Sequence, residues 1–95
     1  MGLWKGKEVH LTNSSSKADL LRRVRRIEGQ ARGVARMIEE DRACHEILQQ
    51  LAAIRSAAHQ ATIALVRVYT TECMASDGSP EEIADALATA LSRLA

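Results

Sequence analysis

Phenylalanine is absent from this 95-residue chain, and tryptophan, tyrosine and proline occur once each. So few large side chains exclude a deep aromatic core, and they exclude a platform for stacking the bases of single strands. Glycine is sparse too, and neither glycine nor proline interrupts the run from Asp41 to Gly78. Two cysteines do not build a disulfide framework, no Cys-x-x-Cys pair marks an oxidoreductase, and no long apolar run marks a signal peptide or membrane span. These absences point to a cytoplasmic domain with reduced thiols that is not an enzyme. A chain this short buries a modest share of its surface alone, so a metal or copies of itself are expected to complete it.

What is present is unevenly distributed. Residues 1–36 hold nine lysines and arginines against three acids, a balance of +6, whereas the remainder balances at −5. Such splitting points to a basic surface for a polyanion on an otherwise ordinary domain. Its densest part is the stretch LLRRVRRIEGQARGVAR, which carries Arg22, Arg23, Arg25, Arg26, Arg32 and Arg36. An arginine-rich helix face is commonly no more than a solvated one. Here few acids intervene, and planar guanidinium forks suit phosphates, so double-stranded DNA is the expected partner. No short recognition helix follows the first turn, which excludes a helix-turn-helix.

The periodicity predicts an all-α fold of three helices over residues 16–95, behind a flexible tail at residues 1–15. Ser16 is expected to cap the first helix with Asp19 three positions on, and Trp4 of the tail to cover an apolar patch. Apolar residues recur at Leu20, Val24, Ile27, Ala31, Val34 and Ile38, and the pattern breaks near Asp41. Ile47, Leu51, Ile54, Ala58, Ala61, Leu65 and Val68 then keep a heptad along a long second helix. The third opens with Ser79, Pro80, Glu81 and Glu82 and continues through Ile83, Leu87, Leu91 and Leu94.

Cys44 and Cys73 fall near the two ends of that second helix, 29 positions apart. At the rise of a helix they stand roughly 44 Å from each other, too far to act together within one chain. In phase, however, they agree to within about 20°, and Tyr69 falls on the same face. An antiparallel copy of the helix would bring Cys44 of one chain to Cys73 of the other, at two identical sites. Taken singly, a cysteine on a half-apolar helix face is more often a small core residue than a ligand. The first turn of the helix and nearby Arg42 favour a thiolate at Cys44, while Glu72 beside Cys73 favours its protonated form.

The stretch RRVRRIEGQARGVARMIEED, a cysteine three residues on, and ILQQLAAIRSAA together resemble the copper-sensing operon repressor family over roughly residues 17–94. The resemblance implies a homotetramer, a dimer of antiparallel dimers, that represses an operon and leaves DNA when an effector binds. It implies an effector site between Cys44 of one subunit and the end of the second helix of its partner, and Arg55 joins the first-helix arginines as DNA-binding. Three positions depart from the family's copper sensors, which carry a histidine where this chain has Tyr69, a tyrosine where it has Ala43, and a glutamate where it has Asp85. A phenol is a poor ligand for soft Cu(I). The set therefore looks most like that of the persulfide sensors, with no obligate cofactor and with Cu(I), held by the same two cysteines, as the alternative effector. His10, His45 and His59 are read as solvent or packing residues.

Overall fold

The computed structural model describes residues 10–75 and 78–93. Most of the expected tail, Trp4 included, and Leu94 lie outside the described residues. Three helices and no strands form among them: α1 (Ser14–Glu39), α2 (Cys44–Met74) and α3 (Pro80–Ser92). None is long and apolar enough to cross a membrane.

The start of α1 differs from expectation. Asn13, not Ser16, is the cap: its Oδ1 accepts the Ser16 N–H at 3.0 Å, and its carbonyl accepts the Lys17 N–H at 2.9 Å. Asparagine and serine cap about equally well, and capping at Asn13 gains most of an additional helical turn. The helix thus begins inside the segment assigned to the tail. Asp19 falls in the second turn, where its carboxylate reaches side chains instead of backbone.

The junction at Asp41 has a definite geometry. Asp41 takes φ 55°, the left-handed region. Its N–H donates to the Ile38 carbonyl at 3.2 Å, and the Arg42 N–H donates to that of Met37 at 3.0 Å. This is a Schellman closure with aspartate in the position glycine usually takes. The short turn folds α2 back antiparallel to α1, so that Leu20 near the start of α1 meets Ala64, Leu65 and Val68 late in α2.

α3 begins as its composition predicts. Ser79 Oγ accepts the Glu82 N–H at 3.2 Å, Glu82 Oε1 accepts the Ser79 N–H at 3.1 Å, and Pro80 occupies the first helical position. Ser79→Ala is expected to cost about 1 kcal/mol, read as a lowered Tm and weaker protection of α3 amides from exchange.

Packing divides each apolar stripe in two. On α1, Leu20, Ile27 and Val34 are half-buried or buried, whereas Val24 and Ile38 stay 49% and 57% exposed. On α2, Ile47, Ile54, Ala61 and Val68 are covered in part or fully, whereas Leu51 and Leu65 stay 47% and 42% exposed. One half of each heptad thus builds the α1–α2 hairpin, and the other half faces outward along both helices. Among the described residues the buried hydrophobic side chains are Val34, Ala61, Cys73 and Ala86, a small core.

Candidate functional site

Two surfaces carry the chemistry. The first is the outer face of α1, opposite the buried stripe. At about 100° per residue, Arg22, Arg25, Arg26, Arg32 and Arg36 share one side of the helix, while Arg23 turns toward the hairpin seam. Arg22, Arg25, Arg26, Arg32 and Arg36 are exposed, and Arg23 is half-buried. Gly29 and Gly33 lie along the middle of this face, where an added Cβ would meet the Arg32 guanidinium at 3.9 Å or nothing at all. The face is therefore flat and open, a shape that a phosphate backbone can approach closely.

Its arginines are not equivalent. Asp19 bonds Arg22 through Oδ1 and Arg23 through Oδ2, the latter from Nε at 2.9 Å. Arg32 stands 3.4 Å from Glu28. Among the described residues, Arg25, Arg26 and Arg36 make no ion pair. The hydrogen bond from Arg23 holds the Asp19 carboxyl below its ordinary range, against a smaller opposing effect of burial, and the charges of Arg23 and Arg22 add to the lowering. The residue spacing signals this bridge, since positions three and four apart are neighbours on a helix. Arg55 is exposed on α2, beside Leu51, Ser56 and His59.

The second surface is the length of α2. Cys44 is the first residue of the helix and is exposed, behind an N-cap, Ala43, that supplies no side-chain hydrogen bond. Arg42, expected to support a thiolate there, is instead held by Glu46, with Nε donating at 2.9 Å and Nη2 at 2.6 Å. At the other end Cys73 is fully buried, 0% exposed. It lies on the side of α2 that also presents Thr62, Val66 and Tyr69 to Ala86, Leu87 and Ala90 of α3, across a groove of about 460 Å³. Burial chiefly, and the neighbouring Glu72 carboxylate second, push the Cys73 thiol above its ordinary range. The proton is thus held more firmly there, as expected, although the main cause is the cover of the fold. Because the folded value is raised, this thiol favours the folded state below the usual thiol range and loses that contribution as pH climbs through the raised value.

Tyr69 is half-buried one turn before Cys73. Burial raises its phenol, the charge of the Cys73 thiolate adds to this, and Arg93, the C-cap of α3, opposes it. Tyr69, Cys73 and Arg93 are thus brought together, and Cys44 is not among them. No sequence signal marked Arg93, because only the packing of α3 brings it there. Asp85 is exposed on α3, next to the buried Ala86, and His10, His45 and His59 are exposed. Among the described residues no three histidines, cysteines or acids gather closely enough to hold a metal ion. Any site that joins the two thiols needs a second chain.

Three helices in this arrangement place the chain among solved transcriptional regulators. The nickel-responsive transcriptional regulator InrS superposes with a TM-score of 0.78 at 35% identity, covering 90% of this chain and 100% of that one. A variant of the formaldehyde-responsive regulator FrmR from Salmonella enterica serovar Typhimurium superposes with a TM-score of 0.74 at 31% identity, covering 86% and 93%. The family profile described as "Metal-sensitive transcriptional repressor" matches residues 16–93, and the chain belongs to that family. Among curated relatives, the copper-sensing transcriptional repressor RicR of Mycobacterium tuberculosis is 37% identical over 70 residues, 70% of this chain and 73% of that protein. Copper, nickel and formaldehyde name the effectors of these three proteins. The shared fold therefore leaves the effector to be argued from the side chains at the site.

Proposed function

We propose that the chain represses transcription by binding operator DNA through the arginine face of α1, with Arg55 of α2, and that reactive sulfur species release it by joining Cys44 to Cys73 of the partner subunit. The observation that carries this reading is the donor set. Two thiols stand in phase at the ends of one helix, and a phenol occupies the place where an imidazole would complete a soft-metal site. The outward halves of the α1 and α2 stripes support an antiparallel homodimer and a homotetramer, since unpartnered apolar rows need a cover.

The chemistry balances on the two thiols. The Cys44 thiolate attacks the sulfane sulfur of a persulfide or polysulfide, forming a Cys44 persulfide and expelling a thiolate or a shortened polysulfide. The thiolate of Cys73 of the partner subunit then attacks the Cys44 Sγ and expels hydrosulfide. Two thiols lose their protons to water and are oxidised by two electrons, and the sulfane sulfur is reduced to hydrosulfide. The resulting covalent link biases the assembly toward a form that fits DNA less well.

A second reading takes Cu(I) as the effector, and the similarity to copper-sensing RicR favours it. Cys44 and Cys73 of the partner subunit would hold the ion, since thiolates suit Cu(I), and Tyr69 would stand close by without binding it. The two readings separate in one titration. Operator duplex, selected from a random-sequence pool, is expected to be released by polysulfide and retained with Cu(I). Release by Cu(I) alone would establish the copper reading.

Tyr69→His tests the same point from the other side. An imidazole there would complete a set of two sulfurs and one nitrogen, so Cu(I) affinity is expected to rise at least about tenfold in a competition with a chelator. Copper-dependent release from DNA is expected to stay weak, because Ala43 and Asp85 leave the surroundings of the site unlike those of a copper sensor. Equal Cu(I) affinity in both proteins, with release of DNA, would make Tyr69 a bystander.

A further inference from the structure

We infer that Asp19 is a built-in counter-ion that limits how tightly the repressor holds DNA, an inference that rests on the proposed DNA face. Both of its carboxylate oxygens are in use, one on Arg22 and one on Arg23. The side chains of Asp19 and Arg23 are 36% and 38% exposed, and that of Arg22 is 75% exposed. Arg22 therefore lies open on the phosphate-facing side while bonded to a carboxylate at the edge of that face. A phosphate that takes Arg22 must share its guanidinium with Asp19 or displace it, and in either case it sits near the carboxylate's negative charge. Arg23, which its helical phase already sets toward the hairpin seam, is bonded by the same carboxylate. The cluster thus presents one net positive charge where two arginines stand.

Arg25 and Arg26 mark the contrast. They occupy the next turn of the same face, are exposed, and have no acidic partner among the described residues. They are ready for phosphate without exchange. Asp19 itself stays ionised through the physiological range, since its carboxyl is held low by Arg23. Its effect is accordingly constant at neutral pH and weakens only in acid, as pH falls through the depressed value.

Asp19→Asn removes the charge and keeps the size. Binding to a fluorescein-labelled mixed-sequence duplex is expected to tighten roughly three- to tenfold at low salt. The slope of log K against log salt should steepen by about 0.9 for each phosphate gained. Phosphate contacts carry no base information, so a selected operator should gain by the same factor and the ratio of the two affinities should hold. Asp19→Glu, which can still reach Arg23 four residues on, should behave as wild type. Unchanged affinity and slope in Asp19→Asn would overturn the inference. So would weaker binding, which would mean that the carboxylate positions its arginines for DNA. Arg25→Glu with Arg26→Glu separates this failure from that of the underlying reading. If that pair leaves wild-type binding intact, or wild type binds neither duplex, α1 is not the DNA face and the role of Asp19 falls with it.

Discussion

Glutamate in place of Arg22, Arg25 and Arg26 is expected to abolish operator binding, lowering affinity by more than about a hundredfold at moderate salt, while the protein stays helical and associated. The three side chains are exposed on the face opposite the buried stripe, so none supports the hairpin. Each lost phosphate contact should also flatten the dependence of log K on log salt by roughly 0.9. The single variants should not be equal. Arg25→Glu and Arg26→Glu each remove an unpaired cation, whereas Arg22→Glu removes one that Asp19 already holds. Binding is measured by fluorescence anisotropy across a salt series, and helicity by circular dichroism. Unchanged affinity at moderate salt would remove α1 from the interface.

The second large effect concerns the thiols. Polysulfide is expected to convert the reduced protein to a covalent dimer on a non-reducing gel, and a thiol reductant should reverse it. Cys44→Ala should eliminate the reaction. Cys73→Ala should leave Cys44 carrying a persulfide, visible as a mass increase of one sulfur, without a cross-link. Before any oxidant is added the two thiols should also differ toward an alkylating reagent. Cys44 is exposed and should be modified first, whereas Cys73 is covered and keeps its proton. Alkylation of Cys73 should catch up as pH rises past the ordinary thiol range of about 8.5. A link between the two cysteines of one chain, found by mass spectrometry, would rule out the antiparallel arrangement.

How far such features can be read before a structure depends on how local their causes are. Ser79, Pro80 and Glu82 mark the start of α3 completely, because every group in that cap lies within four residues. The start of α1 is harder, since Asn13 and three following serines all offer a capping oxygen, and the choice turns on one more turn of helix. Periodicity puts Ile47, Leu51, Ile54, Ala58, Ala61, Leu65 and Val68 on one stripe. It does not say that alternate members pack inside the chain and the rest face out, because that division depends on which direction the hairpin closes. At the proposed sensing positions, phase places Cys44, Tyr69 and Cys73 on one face. The concealment of Cys73, on the side of α2 that faces α3, is tertiary, and so is the approach of Arg93. The grip of Asp19 on Arg22 and Arg23 was legible in the spacing but competes there with the expectation of a capping role.

The concealment of Cys73 also sets the mechanical sense of the signal. This thiol is one of four buried hydrophobic positions among the described residues, so the reactive group is itself part of the core. An ion that binds the native form stabilises it by mass action, and the melting transition moves up with its concentration. A disulfide formed at a thiol with no exposed surface does the reverse, since admitting a second sulfur among packed neighbours forces them from their rotamers at about 1–3 kcal/mol. The packing on the side of α2 that faces α3 would have to yield before the new bond could point outward. Oxidant would then be reported as a loosening of α3, and the protein's thermal fragility would rise in step with its release from DNA.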